Sequence, residues 1–335
     1  MSEQSARYEL LASMGGRPLS TLLKDQEPGF LFDGCFRDRS ITVFIAPAHR
    51  GKTLLMLDMA LCLDLELPLF GRFKPQKNQE VFFLGCDAPS WDMGGQTRKL
   101  LNGHGIPEAQ HDLISINGVW RRGFKITDHD VQDQLKAWRD LTGASVLFID
   151  THRATHRANE NASGEMEAVW DILCGMRESG WAIIMSHHTS KPSEVLSEDV
   201  NAARGSTVIG ASADFIYTLN KRSRLDNRVM VKCVKARGSG SDKDPFDHFY
   251  IQPSPETAAV RLVTDSDFDP LVMLLKFLEQ PRTRTEMMTH LQQVCSMVTK
   301  DMTEDQVYRL VDNRINDLRR AGKITSVDRG IWRIL

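Results

Sequence analysis

A short segment near position 50 has the residue types of a loop that binds phosphate groups. It follows the apolar run 41–45, precedes a helical pattern, and consists of Ala46, Pro47, Ala48, His49, Arg50, Gly51, Lys52 and Thr53. In such a loop, backbone N–H groups and the N-terminus of the following helix face the phosphate oxygens. Lys52 is expected to reach the β- and γ-phosphates, and the Thr53 hydroxyl to bind Mg²⁺. The segment therefore predicts ATP and Mg²⁺ as cofactors.

One position departs from the pattern G-x-x-x-x-G-K-[ST]. Its first glycine is replaced by Ala46. Alanine tolerates a positive φ poorly, so we expect the loop to bend differently or to bind phosphate more weakly. The alternative is a chance Gly-Lys-Thr sequence at a junction between a strand and a helix.

An acidic residue ends another apolar run. Asp150 follows residues 145–149, and the carboxyl ends of buried strands are where α/β sheets bind ligands. We expect Asp150 to hold the water shell of Mg²⁺, whereas an aspartate that only caps a strand is the alternative. His152 and His156 follow at a spacing of four residues and allow a metal site with Asp150. One carboxylate and two histidines on a loop support such a site only weakly.

The elements that must position these residues alternate along the chain. Apolar runs at 41–45, 81–84, 145–149 and 182–185 predict buried strands, and residues 53–65, 130–141 and 165–179 predict helices. Ser163 is a candidate N-cap for the last helix, and Gly180 a candidate stop. This order predicts an α/β fold with a mostly parallel sheet. Runs at 215–219, 228–234, 248–252 and 259–263 predict antiparallel strands added at the sheet edge.

The last 70 residues have a different pattern. An acidic segment at 264–270 ends in proline and predicts a linker. Helices are expected at 271–278, 283–294 and 304–321, with Gly322 ending the third, and a hairpin at 323–335. Three helices followed by a hairpin predict a small winged-helix module.

The composition limits the function classes. Hydrophobic residues make up 41% and charged residues 26% of the 335, and the formal net charge is −2. These values are typical of a globular protein, and any contact with nucleic acid would have to come from a local patch of positive charge. Six cysteines without a Cys-x-x-Cys pair indicate neither a zinc ribbon nor a disulfide framework, and predict a cytoplasmic protein. No apolar run of 18 residues exists, so no membrane contact is expected.

The sequence resembles the RecA-like ATPases, and within them the RepA-type hexameric replicative helicases of plasmids and phages. Besides the Gly-Lys-Thr turn, four segments carry the resemblance: PLFGRFKPQKNQEVFFLGCD, LFIDTHRATHRANENASGEM, IIMSHHTSK and ARGSTVIGASADFIYTL. They occur in the family's order, and the similarity runs over roughly residues 17–252. The resemblance implies a homo-oligomer, with a hexameric ring as the expected form.

The resemblance also assigns roles to four residues. Asp87 stands where the family has a glutamate that orients the attacking water, and it is shorter by one CH₂ group. His187 matches the residue that senses the γ-phosphate. Lys235 and Arg237 match a pair that reaches into the neighbouring subunit's ATP site. The alternative for Asp87 is a strand cap, and the alternative for His187 is a solvated histidine. For Lys235 and Arg237 the alternative is a basic surface turn.

On the basis of the element pattern and of this resemblance, we divide the chain into three parts. Residues 1–35 form an N-terminal arm that can pack on the next subunit, residues 36–263 a RecA-like P-loop core, and residues 264–335 the winged-helix module. The third helix and the wing gather Arg309, Arg314, Arg319, Arg320, Lys323 and Arg329. Such a cluster can contact DNA phosphates, although a module that docks protein is the alternative.

Three functions are compatible with these features. The first is an oligomeric, ATP-hydrolysing motor on single- or double-stranded DNA, of the replicative helicase type found in mobile elements and phages. The second is an ATP-gated DNA-binding regulator, or a recombination accessory ATPase, that does not unwind DNA. The third is a degenerate ATPase with a structural role, which Ala46 and Asp87 keep open and the intact Lys52, Thr53 and Asp150 oppose.

Overall fold

The architecture is known from a computed structural model. It describes residues 3–48, 50–76, 79–189, 208–220, 228–237, 248–254, 260–263, 278, 280–294, 303–320, 322–328 and 330–334. Numbered in chain order, the helices are α1 Glu3–Ser13, α2 Leu19–Leu22, α3 Lys52–Asp64, α4 Ser90–Gly103, α5 His129–Thr142, α6 Ser163–Glu178, α7 Val208–Ser212, α8 Arg284–Val294 and α9 Glu304–Arg320. Short 3₁₀ helices span Glu108–Leu113 and His152–Thr155.

A large sheet forms the centre of the fold. The described strands are β1 Phe30–Phe32, β2 Cys35–Arg37, β3 Ile41–Ala46, β4 Val81–Gly85, β5 Asn117–Val119, β6 Val146–Asp150, β7 Ala182–His188, β8 Phe215–Asn220, β9 Val229–Ala236, β10 His248–Pro253, β11 Val260–Val263, β12 Arg282–Thr283, β13 Ile324–Asp328 and β14 Ile331–Ile334. Nine of them make one sheet in the order β11-β10-β9-β8-β3-β7-β6-β4-β5.

The sheet is parallel over most of its width. Strands β8, β3, β7, β6, β4 and β5 run in one direction, and β9, β10 and β11 are added antiparallel at one edge. This arrangement confirms the predicted α/β fold, its mostly parallel sheet and its antiparallel additions. All eight predicted strands of the sheet are present, whereas the short strand β5 is an addition that its sequence, Asn-Gly-Val, did not indicate.

The central strands are buried on both faces, and their side chains alternate between two apolar layers. Phe44, Phe148 and Ile184 belong to the layer that contains α3, here called the α3 face. Their neighbours Val43, Leu147 and Ile183 belong to the layer that contains α6, here called the α6 face. The same alternation continues to the carboxyl ends of the strands, where it sorts the polar side chains into two groups.

Three local features differ from the sequence prediction. Ser163 begins α6 instead of capping it, because Ala162 occupies the N-cap position and no side chain there accepts a hydrogen bond. Helix α4 was not predicted, since its Gly-Gly pair and polar residues weaken the helical pattern. Residues 30–35, placed in the arm by the sequence, contribute the fully buried Leu31 and Phe32 to the core.

The C-terminal residues form a separate apolar cluster. Helices α8 and α9 contact each other, and strands β12, β14 and β13 form a small antiparallel sheet in that order. The cluster contains Leu278, Met287, Val311, Ile315, Leu318 and Ile324. The second and third predicted helices and the hairpin are confirmed, while the predicted linker and nearly all of the first predicted helix lie outside the described residues. The winged-helix assignment stays a prediction. Among the helices described, none is long and apolar enough to cross a membrane.

Candidate nucleotide-binding site

The phosphate-loop segment lies between β3 and α3, as predicted. Gly51 precedes the first residue of α3 with a φ of 79°, a left-handed conformation that glycine adopts without strain. The Nζ atom of Lys52 donates to the carbonyl oxygens of Ala46 and Pro47, at 2.9 and 2.8 Å. Lys52 thus lies across the opening of the loop. His49 is outside the described residues.

Ala46 causes no strain in the loop. It is the last residue of β3, it lies opposite His188 of β7, and its φ is not among the positive values. The position that carries glycine in the usual motif is therefore extended backbone here, which alanine adopts freely. The expected effect of Ala46 on the bending of the loop and on phosphate binding stays a prediction.

A hydroxyl and a carboxylate converge beside Lys52. The Oγ1 atom of Thr53 donates to Oδ2 of Asp150 at 2.6 Å, and Oγ of Ser186 donates to Oδ1 of Asp150 at 2.5 Å. Oxygen ligands of this kind are those that Mg²⁺ takes in proteins. The buried Asp150 has a raised pKa because it is desolvated, and the hydrogen bonds from Ser186 and Thr53 oppose the rise. A divalent cation placed here would compensate the buried negative charge, so the residues fit Mg²⁺.

The buried environment of Lys52 disfavours the charged form of its side chain. Desolvation lowers its pKa to about 8, and the charges of Asp150 and Asp87 partly counter that effect. A bound triphosphate would add negative charge next to Nζ and would favour the protonated form. The site is therefore arranged to gain a favourable charge interaction when an anion binds.

Asp87 lies at the rim of the same face. The backbone N–H of Cys86 donates to the carbonyl of Asp150 at 2.8 Å, which extends the pairing of β4 and β6 to the residue before Asp87. The Asp87 side chain is 51% exposed, and one of its oxygens lies 3.9 Å from Nη2 of Arg122. It is thus solvent-accessible and close enough to Lys52 to affect the pKa of that lysine, which fits a group that orients water.

The two histidines at the end of β7 face opposite sides of the sheet. His188 lies on the α3 face, and its Nδ1 is 3.3 Å from Nζ of Lys52. His187 lies on the α6 face, buried beside His152 and Glu160. The sequence assigned the sensing of the γ-phosphate to His187. Strand alternation instead places His188 beside Lys52 and His187 on the other face of the sheet.

Comparison with known proteins agrees with this geometry. Residues 23–194, just over half of the chain, match a family described as AAA domain. The chain belongs to this family. A solved structure described as an ATPase domain superposes with a TM-score of 0.52 at 15% sequence identity, over 76% of this chain and 98% of that chain. No curated protein matches. Family and fold together make the chain a RecA-like P-loop ATPase, as the sequence predicts.

In this AAA domain protein, Lys235 and Arg237 lie far from the phosphate loop. Nζ of Lys235 donates to the carbonyls of Gly210 and Ala211 at the end of α7, at 2.7 and 2.9 Å. Nη2 of Arg237 donates to the carbonyl of Ala211 at 2.9 Å, and Nη1 donates to Oδ1 of Asp214 at 3.2 Å. Basic side chains at a helix C-terminus are favourably placed. The pair therefore belongs to the amino-terminal end of the parallel strands.

The sequence did not indicate two contributors to the AAA domain's site. Ser186 completes the hydrogen bonds of Asp150, and His188 contacts Lys52. The available signal was alternation, because Ser186 and His188 are two and four residues from Ile184, which faces α3. Neither residue could be placed beside Lys52 without knowing that β7 lies next to β3.

Proposed function

We propose that the protein is an ATP-hydrolysing oligomeric DNA motor of the replicative helicase type, in which each ATP is bound between two subunits. The position of Arg237 carries this proposal. The sequence resemblance to RepA-type hexameric helicases supplies the link to DNA and to a ring. The ATPase fold and the Lys52, Thr53 and Asp150 cluster supply the hydrolytic site.

Arg237 is at the wrong end of the sheet to act on its own subunit's ATP. Phe215 of β8 lies opposite both Thr42 of β3 and Ala236 of β9, so Arg237 is level with the beginning of β3. The phosphate loop starts at Ala46, roughly 16 Å farther along that strand at the usual rise per residue. The backbone of Arg237 follows β9, which is separated from β3 by β8. A neighbouring subunit's ATP is the natural target of such a group.

The chemistry of Arg237 suits this role. Its planar guanidinium can stabilise the charge that spreads over the γ-phosphoryl oxygens during transfer, while Mg²⁺ neutralises charge on the same phosphates. Its side chain is 54% exposed and keeps donors available besides those that contact Ala211 and Asp214. Asp214 is anchored separately, since it accepts from the backbone N–H of Ile41 at 2.9 Å and from Arg177 at 3.1 Å. Arg237 can thus change partners without releasing Asp214.

Two inactive variants, mixed together, test the shared site. Lys52→Ala keeps the arginine but loses the phosphate lysine, and Arg237→Ala keeps the lysine but loses the arginine. In mixed oligomers some interfaces combine an intact lysine with an intact arginine, so partial ATPase activity should return. Subunit exchange is established by pull-down of one tagged variant with the other. Exchange without recovered activity would contradict the shared site.

Arg177 offers a matched control, because it also pairs with Asp214 but lies on α6. If Arg237 acts only by anchoring Asp214, Arg177→Ala should reduce turnover as much as Arg237→Ala does. If Arg237 acts on ATP, its substitution should reduce turnover by about 10³-fold or more while ATP affinity is retained. Arg177→Ala should then lower the stability of the fold more than it lowers the rate.

A second function is supported by a specific feature. The exposed Arg309, Arg320 and Lys323 of the C-terminal part could hold duplex DNA without any movement along it. An ATP-gated DNA-binding regulator or recombination accessory would use them in that way. Stimulation of ATP turnover by single-stranded DNA, together with strand separation in an unwinding assay, distinguishes the motor. DNA binding that depends on ATP without unwinding favours the regulator.

A further inference from the structure

A cluster of ionisable side chains is buried on the α6 face, behind the nucleotide site. It consists of His152, Glu160 and His187, whose side chains are 0, 10 and 2% exposed. One potential ligand atom from each of the three lies within 4.8 Å of the other two. The residues come from the segment between β6 and α6 and from the end of β7, so they meet only in the folded chain.

The polar atoms of this cluster lack hydrogen-bond partners among the residues described. They are both ring nitrogens of His152, Nε2 of His187 and Oε1 of Glu160. Buried polar atoms are almost always paired, because an unpaired one loses its hydration without compensation. Such a concentration of buried polar atoms at one point suits the binding of a further polar group or ion.

The orientation of His187 shows what kind of group this is. Its Nδ1 lies 2.7 Å from the carbonyl oxygen of His188 and donates to it, which leaves Nε2 as the ring nitrogen that faces the cluster. Nε2 in turn lies 3.2 Å from Oε1 of Glu160. Nε2 therefore faces a carboxylate oxygen, and a metal ion bound between the two would be within reach of both. A backbone carbonyl that fixes the tautomer is also the usual partner of a metal-binding histidine.

The separation of Nε2 and Oε1 fits a shared metal ion as well as it fits a hydrogen bond, so His152 decides between them. Ligands placed about 2.0–2.2 Å from a tetrahedral zinc ion are roughly 3.3–3.5 Å apart, close to the separation of Nε2 and Oε1. A proton shared by His187 and Glu160 would leave both nitrogens of His152 without partners.

We propose that His152, Glu160 and His187 bind a transition-metal ion, for which Zn²⁺ is the best fit. Imidazole ligands favour such metals over Mg²⁺, whose preferred ligands are oxygens. His156 is the candidate fourth ligand, because it is 1% exposed, its ring centre lies 4.6 Å from that of His152, and both its ring nitrogens are unpaired. The three ligands are buried, and with His156 as the fourth the ion would have a structural role.

This site differs from the metal site that the sequence allowed. Asp150 belongs to the α3 face, where it accepts from Thr53 and Ser186, so it does not join His152 and His156. Glu160 and His187 take its place. The ion would tie the segment after β6 to the end of β7, directly behind Asp150 and His188. It is a different ion, on the opposite face of the sheet, from the Mg²⁺ that accompanies ATP.

Metal analysis of the full chain tests the proposal. The protein is purified without nucleotide, so that no cation is retained by phosphates, and its metal content is measured by plasma mass spectrometry. About one equivalent of zinc or another transition metal per chain is expected. After removal by a chelator, Co²⁺ should bind with the visible absorption of a tetrahedral centre, and Zn²⁺ should displace it. Thermal unfolding should move to lower temperature without metal and recover when Zn²⁺ is added.

Substitutions locate the ion. Glu160→Gln keeps the shape of the side chain but removes the charged ligand, and His152→Gln removes an imidazole. Either change should abolish binding or weaken it by about 10-fold or more. His104→Gln is the matched control, since His104 belongs to the other cluster of potential ligands, with Asp58 and Cys62. It should keep the metal.

Two results would overturn the proposal. One is a wild-type chain that carries no transition metal as purified and binds neither Zn²⁺ nor Co²⁺ after chelation. The other is unchanged binding in Glu160→Gln and His152→Gln, with weakened binding in His104→Gln, which would move the ion to the other cluster. Because wild-type binding is measured first, variants that fail to fold do not leave the question open.

Discussion

At the scale of single residues, the nucleotide site contains ionisable groups whose charged forms are disfavoured by burial unless ligands of opposite charge are bound. Lys52 and Asp150 are both buried, and burial shifts the pKa of each toward its neutral form. Each is only partly compensated by the other and by nearby hydroxyl and carbonyl groups. A phosphate beside Lys52 and a cation beside Asp150 would supply the missing charges, so ligand binding and stability are linked at these positions.

Replacing Lys52 by methionine should stabilise the chain while it abolishes ATP turnover. The pKa of Lys52 is lowered from 10.5 to about 8, so the unfolded chain holds this proton more tightly than the folded chain. Below pH 8 the buried charge opposes folding, and the penalty is relieved as pH rises from 8 toward 10.5. Lys52→Met should raise the free energy of unfolding at pH 7 by up to about 3 kcal/mol.

Urea unfolding at pH 7 and pH 10 measures this effect, and calorimetry with ATP measures binding. The advantage of Lys52→Met over wild type should shrink at the higher pH. Lys74→Met, at an exposed lysine, is the control and should change neither property. Unchanged ATP affinity in Lys52→Met would remove Lys52 from the site.

Asp87 should matter for catalysis more than for binding. Its carboxylate is exposed at the rim of the α3 face and is proposed to orient the attacking water. Asp87→Asn should bind ATP with nearly normal affinity and hydrolyse it about 10²–10⁴ times more slowly. Single-turnover hydrolysis separates the two quantities. Asp92→Asn, in the first turn of α4, is a nearby control. An equal loss of affinity and rate in Asp87→Asn would argue against the role.

At the scale of elements, the N-terminal helices stand out because their apolar side chains face solvent. The exposed ones are Tyr8, Leu10, Met14, Leu19, Leu22 and Leu23. A concentration of exposed apolar side chains in one segment marks a surface that contacts another protein. This pattern supports the prediction that residues 1–35 include an arm that packs on the next subunit.

Polar substitutions in this arm should weaken assembly. Leu19→Ser combined with Leu23→Ser removes apolar contacts at the proposed interface. The variant oligomer should therefore dissociate at protein concentrations at which the wild-type oligomer stays assembled. Analytical ultracentrifugation over a concentration series measures the change. Leu113→Ser with Leu141→Ser is the matched control, because both leucines are similarly exposed outside the arm. An identical assembly state in all three proteins would count against an arm at the interface.

At the scale of the whole molecule, DNA affinity is expected to come from a local patch, since the net charge is only −2. Arg309, Arg320 and Lys323 are exposed on α9 and just after its end. Changing all three to glutamate should weaken duplex DNA binding. The slope of log affinity against log salt concentration should become shallower by about one unit for each phosphate that the protein no longer neutralises. Basal ATPase activity should persist. Fluorescence anisotropy at several salt concentrations measures both the affinity and its salt dependence.

The control for that experiment reverses three exposed lysines of the core, Lys74, Lys99 and Lys136. If the C-terminal patch binds DNA, the control should retain both affinity and salt slope. If the C-terminal variant binds DNA as tightly as wild type, that part of the chain is better explained as a protein-docking element.

The sequence by itself determined the elements and the chemistry carried on single segments. Strands such as 41–45 and 145–149 were predictable because burial on both faces requires continuous apolar runs. The Gly-Lys-Thr turn and Asp150 were predictable because each closely follows such a run. Boundaries were within a few residues, while α4 and β5 were missed because polar and glycine residues obscure their patterns.

Only the tertiary structure decided which of these residues meet. Strand β7 lies between β3 and β6 in the sheet, although it follows both of them in the chain. That order brings Ser186 and His188 to Asp150 and Lys52. The pleat sends His187 to the opposite face, where it meets Glu160. No local pattern encodes these neighbours, because the order of strands in a sheet depends on how distant apolar faces pack together.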